Sequence, residues 1–547
     1  MCLACADKVE ERGERSVAAT EIGAPDLPAF ELPVLSVAAF RAHASALAHD
    51  SMAGRAPGTP GGEMAASYLV GAFRQAGLAV PDGSPGYRQE VPFRRARVRT
   101  ESVVANIRTE TQSISLDTEE LIVKSGAGGP RAEFEGRLVF VGHGVASPEM
   151  GWDDYAGHDV AGAFVVILPG APEELMLGLT DGGASTRAPP APGAYALTMQ
   201  GKAAAARRLG ARGMIELTSP GEADGFASRR RMSSVVFPTP AWGDSRVPDF
   251  HVTLGADATA ELLAAAGTDW DRAVAAGARG DAGFDSRIDL RLEFDQDVSE
   301  FTAPNIVGVI NGATDEIVVM TAHYDGYGIG PATAEGDSVY NGSMDNADGT
   351  AGLIEFARAF ARRPEPPRRT IVFVATTAEE AGMLGARYYL DNPVGSLEAT
   401  AVNINIDGLG FRQPTNDFNL FPVDGTDAVP TLERLAEPLG MSFRAEPWHG
   451  GMHFSFDTVE FLRRGIVGMT LWQGSDVREE FRGMGGGGGP THSPMDEYSP
   501  DSGDAGIEQH LALYRAILEH YADGGEAPRL TTGHPFENIG RTIDPAR

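Results

Sequence analysis

The stretch EIVVMTAHYDGYG, residues 316–328, joins an apolar run to a polar end. Its first part has the β-branched and apolar character of a buried strand, which closes on His323 and, two residues later, Asp325. Side chains at i and i+2 of a strand share one face, so these two side chains stand next to each other at its carboxyl end. Ligands of α/β sheets usually bind at that end. The stretch therefore predicts a strand of an α/β sheet that brings a histidine and a carboxylate to one site.

Three further runs have the same near-continuous apolar or β-branched character: TIVFVAT (370–376), VNINID (402–407) and GIVGMTL (465–471). Strands of this kind are typical of a sheet that is covered on both faces. Segments with helical periodicity lie between or after them, at 351–363 and 507–522. This alternation predicts an α/β fold with a mostly parallel mixed sheet flanked by helices.

The bulk composition excludes several classes of protein. With 547 residues the chain exceeds what one hydrophobic core usually supports, so we expect several domains. The formal net charge of −31 argues against sequence-independent binding to nucleic acid and against binding to an anionic membrane. No apolar run approaches the about 18 to 20 residues of a membrane span, so no integral membrane segment is expected. Both cysteines, Cys2 and Cys5, lie at the start, so neither a disulfide framework nor a cysteine nucleophile serves the body of the protein.

The pattern of predicted secondary structure changes along the chain. An amphipathic helix is expected within 62–80, with Gly77 as its stop. Its apolar face holds Tyr68, Leu69, Ala72, Phe73 and Ala76. Short β-type runs such as 137–145 and 163–170, with one Ala-rich helix at 202–211, then predict an inserted, mainly-β module. We expect an N-terminal extension (1–34), the first part of the main domain (35–117), the inserted module (118–292), the second part of the main domain (293–525) and a C-terminal tail (526–547).

Polar side chains follow the predicted strands at their carboxyl ends. Because parallel strands end at the same sheet edge, we expect these side chains to converge. In chain order they are His323, Asp325, Asp345, Glu379, Glu380, Asp407 and His492. A single residue of this kind is more often a helix cap, a turn residue or part of a solvated face. Two histidines and several carboxylates together, however, form the ligand set of zinc or a similar divalent ion.

The same residues fit the needs of a two-metal site. Two ions ~3.5 to 4 Å apart require a bridging carboxylate, further ligands for each ion and a base for the bridging water. The adjacent residues Glu379 and Glu380 can share these roles, because one can bind metal while its neighbour takes the proton. A buried histidine ligand also needs a carboxylate behind its second nitrogen, and the i+2 position of Asp325 suits that task for His323.

In order and spacing, HYDG, NGSMDNADG, AEEAGMLGA, NIDGLG and THSPMDE resemble the motifs of the co-catalytic two-zinc aminopeptidase family, which also contains glutamate carboxypeptidase II-like and glutaminyl cyclase-like members. SMAGRAPGTPGGEMAASYLVGAFRQAGL (51–78) is similar to the family's opening helix. GWDDYAGHDVAGAFVVIL (151–168) resembles the protease-associated domain inserted in many bacterial members. The likeness implies a zinc exopeptidase fold of the phosphorylase/hydrolase-like type, with 118–292 as a protease-associated lid and 293–525 as the zinc peptidase catalytic domain.

Carried over position by position, the resemblance makes Asp345 the ligand that bridges two Zn²⁺ ions, with Mn²⁺ or Co²⁺ as substitutes. His323 and Asp407 complete the site of one ion. Glu380 and His492 complete the site of the second ion.

The resemblance also assigns catalytic roles. Glu379 is the general base that deprotonates the metal-bridging water and returns the proton to the leaving amine, while Asp325 orients the first histidine. Many relatives carry Ser-Asp followed by His or Tyr where this chain reads GGMHFSF, so Met452 replaces the usual Asp and His453 keeps the donor position. We expect His453 to donate to the oxyanion or the substrate, with a structural role as the alternative.

The implied function is a zinc-dependent aminopeptidase that acts on peptides with a free N-terminus. The alternatives are a glutaminyl cyclase-like or carboxypeptidase-like member of the same fold, or a catalytically silent binding protein. The complete five-ligand set counts against the cyclase, and the retention of Glu379 counts against the silent protein. The inserted module is expected to be a passive lid, with a wall that limits substrate size as the alternative. The family likeness and a start that resembles the end of a lipoprotein signal predict a periplasmic or secreted protein.

Overall fold

The structure is a computed structural model of the chain. The residues that it describes are 35–126, 128–175, 194–233, 235–242, 248–278, 285–409, 413–421, 426–444, 454–482, 490–500 and 503–530. None of the helices in these ranges combines the length and the apolar character that crossing a bilayer requires.

The described strands are, in chain order, β1 (Arg88–Val98), β2 (Val104–Arg108), β3 (Ser113–Ser115), β4 (Leu121–Ser125), β5 (Arg131–Phe140), β6 (Ala146–Ser147), β7 (Trp152–Asp153), β8 (Phe164–Ile167), β9 (Gly213–Glu216), β10 (Thr239–Pro240), β11 (Phe250–Leu254), β12 (Asp285–Ile310), β13 (Thr314–His323), β14 (Gly328–Ile329), β15 (Val339–Tyr340), β16 (Arg369–Thr376), β17 (Thr400–Asn405), β18 (Asp417–Phe421), β19 (Ser442–Phe443) and β20 (Gly468–Gln473).

The described α-helices are α1 (Val37–Leu47), α2 (Pro60–Ala76), α3 (Met199–Arg208), α4 (Ala223–Met232), α5 (Ala256–Ala265), α6 (Trp270–Gly277), α7 (Asp348–Ala361), α8 (Leu384–Asp391), α9 (Val429–Ala436), α10 (Thr458–Arg463) and α11 (Ala505–Ala522).

The predicted α/β fold is confirmed. Strands β20, β17, β13 and β16 lie next to one another in that order and run parallel. β12 and β18 flank them as antiparallel strands, so the sheet is mixed. Val318 and Met320 of β13 pack into one core with residues of α1, α2, α7 and α11, whereas Ile317 and Val319 pack into a second core with residues of α8 and α10. Both faces of the central strands are therefore covered, which explains their unbroken apolar sequence.

The helix expected within 62–80 is confirmed as α2. Its cap is Thr59, whose side chain accepts a hydrogen bond from the backbone N–H of Gly62, and Pro60 occupies the first turn. Gly77 ends the helix with a left-handed φ of 89°, a conformation that glycine adopts without a steric penalty. The expected apolar face is buried in the main core.

The segment 118–292 contains more helix than its sequence indicates. β5, β8, β9 and β11 form a parallel sheet, and besides the predicted Ala-rich α3 the structure has α4, α5 and α6. α4 reads ADGFASRRRM and buries Phe226 as its apolar anchor, so no helical period is visible in it. These short helices depend on packing against the sheet rather than on a strong apolar repeat.

The expected boundaries of this module cut through continuous structure. β12 runs from Asp285 to Ile310 and so crosses the expected boundary at 292/293. β2 and β3 lie before 118, yet Ala105 and Ile107 of β2 pack into the same core as Leu290 and Leu292 of β12. One long strand therefore belongs to both parts of the sheet, pairing with β1 and β16 near its end and with β2 and β5 near its start.

Candidate metal centre

Five segments deliver polar side chains to one edge of the sheet. His323 is the last residue of β13, Asp407 follows the end of β17 by two residues, and Glu379 and Glu380 follow the end of β16. Because these strands are parallel and adjacent, their carboxyl ends meet at this edge. Asp345 lies in the turn immediately before α7, and His492 lies in the segment 490–500.

The first group consists of His323, Asp345 and Asp407. His323 Nε2 lies 3.2 Å from Asp345 Oδ1 and 3.6 Å from Asp407 Oδ1. One ligand atom from each residue lies within 4.8 Å of the others, a spacing that allows all three to hold one ion. His323 and Asp407 are buried.

The second group consists of Asp345, Glu380 and His492. His492 Nε2 lies 2.9 Å from Asp345 Oδ2 and 3.4 Å from Glu380 Oε2. Asp345 thus presents one carboxylate oxygen to each histidine and is shared by both groups. The side chain of His492 is 50% exposed and that of His323 only 1%, so the second group faces solvent.

The donor set fits divalent cations. Both ring nitrogens of His323 are buried, and the described residues offer neither of them a hydrogen-bond partner of good geometry. Burial disfavours the charged carboxylates here: burial and the nearby Asp345 charge raise the pKa of Glu380 to about 8, and burial raises the pKa of Glu379 well above its usual range. Buried carboxylates around an imidazole with unused nitrogens are the nitrogen and oxygen ligands that zinc takes.

The two adjacent glutamates point to different groups. Glu379 Oε2 lies 3.9 Å from His323 Nε2, whereas Glu380 faces His492. The backbone N–H of Glu379 donates a 3.0 Å hydrogen bond to Asp325 Oδ1, which fixes the start of this loop. Ala378 just before them has a left-handed φ of 55°, an uncommon conformation for a residue with a Cβ atom.

Asp325 lies behind the first histidine. Its Oδ1 is 3.6 Å from His323 Nδ1, on the side of the ring opposite to Asp345 and Asp407. It is fully buried. The structure therefore brings together seven of the eight predicted site residues. The eighth, His453, lies outside the described residues.

Sequence reasoning missed Asn346, which follows Asp345. Its Nδ2 donates to the carbonyl of Ile406 and its Oδ1 accepts from the backbone N–H of Gly408, so it holds both neighbours of Asp407. The motif NGSMDNADG contains this asparagine, but nothing in the local pattern shows that it bonds 60 residues away.

Asp496 and Asp457 are two further buried carboxylates that the sequence did not single out. Asp496 accepts hydrogen bonds from the backbone N–H groups of Met344 and Asp345, which ties the segment of His492 to the Asp345 turn. Asp457 accepts a 2.5 Å hydrogen bond from Thr376 Oγ1, and burial raises the pKa of Asp457 to about 7.

An aromatic wall adjoins the exposed histidine. The ring centroids of Tyr327 and His492 are 4.6 Å apart, and Phe237 packs edge-on against Tyr327 at 5.0 Å. Phe237 lies within 118–292, so this segment contributes to the surroundings of the centre. Single aromatic residues in loops carry no periodic signal, which is why the sequence did not indicate them.

Comparisons with known proteins agree with this geometry. Residues 305–510 match the family model of Peptidase family M28. Aminopeptidase YwaD of Bacillus subtilis is 34% identical over 227 residues, which are 40% of this chain and 45% of that protein. A probable glutamate carboxypeptidase of Arthroderma benhamiae is 29% identical over 232 residues, which are 38% of this chain and 29% of that protein. The chain thus spans less than half the length of these curated relatives.

A solved structure shows the same fold. The aminopeptidase from Aneurinibacillus sp. strain AM-1 superimposes with a TM-score of 0.50 at 17% identity, over 90% of this chain and 95% of that chain. The matched segment 305–510 contains all seven clustered residues. The chain is therefore similar to peptidase family M28 over residues 305–510.

Proposed function

We propose that the chain is a zinc-dependent aminopeptidase that hydrolyses the N-terminal peptide bond of peptides. The observation that carries this proposal is Asp345, whose two carboxylate oxygens face two histidines while Glu379 lies beside the first of them. The names of relatives support it: one is an aminopeptidase, and another, from Pyrenophora tritici-repentis, is a probable zinc metalloprotease with 35% identity over 107 residues.

In this proposal zinc would be held by two groups of side chains that share Asp345. His323 and Asp407 would complete the first group, and Glu380 and His492 would complete the second. Mn²⁺ or Co²⁺ would substitute, because carboxylate-rich sites accept them as well. When bound, such ions supply positive charge that polarises the scissile carbonyl and acidifies water.

Glu379 acts as the general base. It takes a proton from the attacking water as the oxygen–carbon bond forms, and it gives this proton to the amine as the carbon–nitrogen bond breaks. Its main chain is held by Asp325, so its carboxylate stays next to the histidine. His453 remains the proposed donor to the oxyanion, and only the family resemblance supports that role.

Arg55 does not provide a site for the terminal carboxylate of a peptide substrate. Arg55 lies nearby, but it is fully buried and donates to main-chain carbonyls, so it is not available to a substrate carboxylate.

The test is hydrolysis of aminoacyl-p-nitroanilides by the purified protein, with N-acetylated substrates as controls. Activity should disappear on chelation, return with zinc and be lost in Glu379→Gln, while the blocked substrates stay intact. Cleavage of blocked substrates, or a fully active Glu379→Gln, would contradict the proposal. Cyclisation of an N-terminal glutamine or release of a C-terminal glutamate would instead identify one of the alternatives.

We also propose export to the periplasm or the medium, which the family resemblance alone supports. Detection of the native protein in cell fractions tests this proposal.

A further inference from the structure

Arg55 lies at the end of an unusual turn, the 3₁₀ segment Asp50–Arg55. Ala53, Gly54 and Arg55 have φ values of 45°, 66° and 52°, three left-handed residues in succession, of which two carry a Cβ atom. A Cβ atom at Gly54 would lie 2.4 Å from the carbonyl oxygen of Gly328. The turn is thus packed closely against β14. Strained backbone of this kind persists only where the surrounding structure requires it.

The guanidinium of Arg55 joins three separate parts of the chain. It is fully buried. Nε donates to the carbonyl of Tyr324 at 2.8 Å, and Nη1 donates to Leu47 at 2.7 Å and to Asn341 at 2.6 Å. Nη2 donates to the carbonyl of Gly342 at 2.9 Å.

Three of these four bonds, to Tyr324, Asn341 and Gly342, reach segments that carry ligand residues. Tyr324 lies between His323 and Asp325, so the first bond fixes the main chain between the histidine and the carboxylate behind it. Gly342 begins the turn that presents Asp345. One side chain therefore sets the position of the end of β13 relative to the Asp345 turn.

The charge of Arg55 also has partners at the centre. A buried cation whose observed hydrogen bonds within the described chain go to carbonyl groups is costly to desolvate. Burial lowers the pKa of the Arg55 guanidinium, and the carboxylates of Asp325, Asp496, Asp345 and Glu380 act in the opposite direction. The attraction is mutual, so Arg55 reduces the repulsion among the carboxylates that the centre concentrates.

We propose that Arg55 is a positioning residue of the metal centre, which holds the main chain at Tyr324 and Gly342 so that His323 and Asp345 meet. This inference rests on the proposed function only in taking those residues as metal ligands. The rigid guanidinium fork is essential, because three nitrogens bond four carbonyls in three directions and a lysine ammonium cannot reproduce that pattern.

The experiment compares metal binding by Arg55→Lys, Arg55→Met and the parent protein. Each full-length apoprotein is titrated with Zn²⁺ against a chromophoric chelator and with Co²⁺ by visible absorption. We expect the Kd for the first ion to rise about tenfold in Arg55→Lys and about 100-fold in Arg55→Met, the range seen when groups that orient ligands are lost. The Co²⁺ bands should also change in intensity, because the ligand geometry is altered.

Arg369→Lys is the matched control. Arg369 is likewise buried, donates to the main-chain carbonyls of Tyr521 and Gly525 and pairs with Glu316, but it begins β16 and so lies about 23 Å from the centre along the strand. This variant should lower the apoprotein melting temperature as Arg55→Lys does, yet leave the metal Kd unchanged.

The outcomes separate the two proposals. If the parent binds metal and a folded Arg55→Met binds within twofold of it, the role of Arg55 is refuted. Equal weakening in Arg369→Lys would refute it too, because the effect would then be general destabilisation. If Arg55→Met does not fold, Arg55→Lys decides by the same criterion. A parent protein that binds no Zn²⁺ or Co²⁺ would overturn the proposed function itself.

Discussion

Asp325 Oδ1 lies 3.6 Å from His323 Nδ1, and the same oxygen accepts the backbone N–H of Glu379 at 3.0 Å. One buried carboxylate thus faces both the first proposed metal ligand and the proposed base. Any change at Asp325 should therefore affect metal binding and proton transfer together, although Asp325 itself lies behind the histidine.

We expect Asp325→Asn to weaken the binding of the first ion about 10- to 100-fold, because the amide cannot hold the imidazole in place as a carboxylate does. kcat should fall as well, since the loop of Glu379 loses a charged acceptor. Chelator competition measures the first effect and steady-state kinetics at saturating zinc the second. Asp337→Asn, at an exposed carboxylate of the following loop, is the control and should leave both unchanged. An unaltered Kd in Asp325→Asn would contradict this role.

The two halves of the centre should differ in how firmly they hold metal. Asp345 is shared, so Asp345→Ala should lose both ions, whereas His492→Ala should keep one ion per chain. His492 is also half exposed, so a chelator should remove the ion of the second group first and in a distinct phase. Metal content per chain after gel filtration checks the stoichiometry. Retention of two ions in His492→Ala would exclude this residue as a ligand.

Phe237 offers a test of whether the segment 118–292 acts as a wall that limits substrate size or as a passive lid. Its ring packs on Tyr327, which in turn contacts His492. We expect Phe237→Ala to raise KM for peptides roughly two- to tenfold, the equivalent of the about 0.5–1.5 kcal/mol that an aromatic pair contributes, with little change in kcat.

Trp242→Ala is the control for this measurement. Trp242 belongs to the same segment, but it packs on Phe93 and Tyr388 instead of the aromatic wall. Its loss should lower stability and leave KM unchanged. A rise in KM in both variants would point to a general loosening of the module.

The sequence predicted what depends on short-range pattern. Apolar runs that end in His323 or shortly before Asp407 identify strands, and the rule that parallel strands end at one edge brings their polar residues together. Gly77 marked the end of α2 for the same local reason.

What the sequence could not predict depends on contacts between distant residues. Arg55 bonds the carbonyl of Tyr324, 269 positions away, and Phe237 meets Tyr327 across two parts of the chain. Neither contact leaves a periodic or spaced pattern. The expected boundary at 292/293 lies inside a strand for a related reason. β12 is one continuous strand, and its two halves pack into different cores.

His43 provides a prediction about stability against acid. It is buried in α1, its Nδ1 lies 2.7 Å from Tyr68 Oη, and its Nε2 lies 4.0 Å from Glu355 Oε1. Burial lowers the pKa of His43 to about 4, with Glu355 raising it and Arg358 lowering it. The unfolded chain, with a histidine pKa near 6.5, therefore binds the proton more readily than the folded chain.

Stability contributed by neutral His43 is therefore fully present above pH 6.5 and is lost as the pH falls towards 4, by at most about 3 kcal/mol. We expect His43→Gln to be less stable than the parent at pH 7, because the contact with Tyr68 is altered, but to lose less stability between pH 6.5 and 4. Urea unfolding of the apoproteins across this range measures the difference. His49→Gln, at an exposed histidine, should follow the parent curve. If the His43→Gln and parent curves stay parallel down to pH 4, His43 is not an acid-sensitive group of this fold.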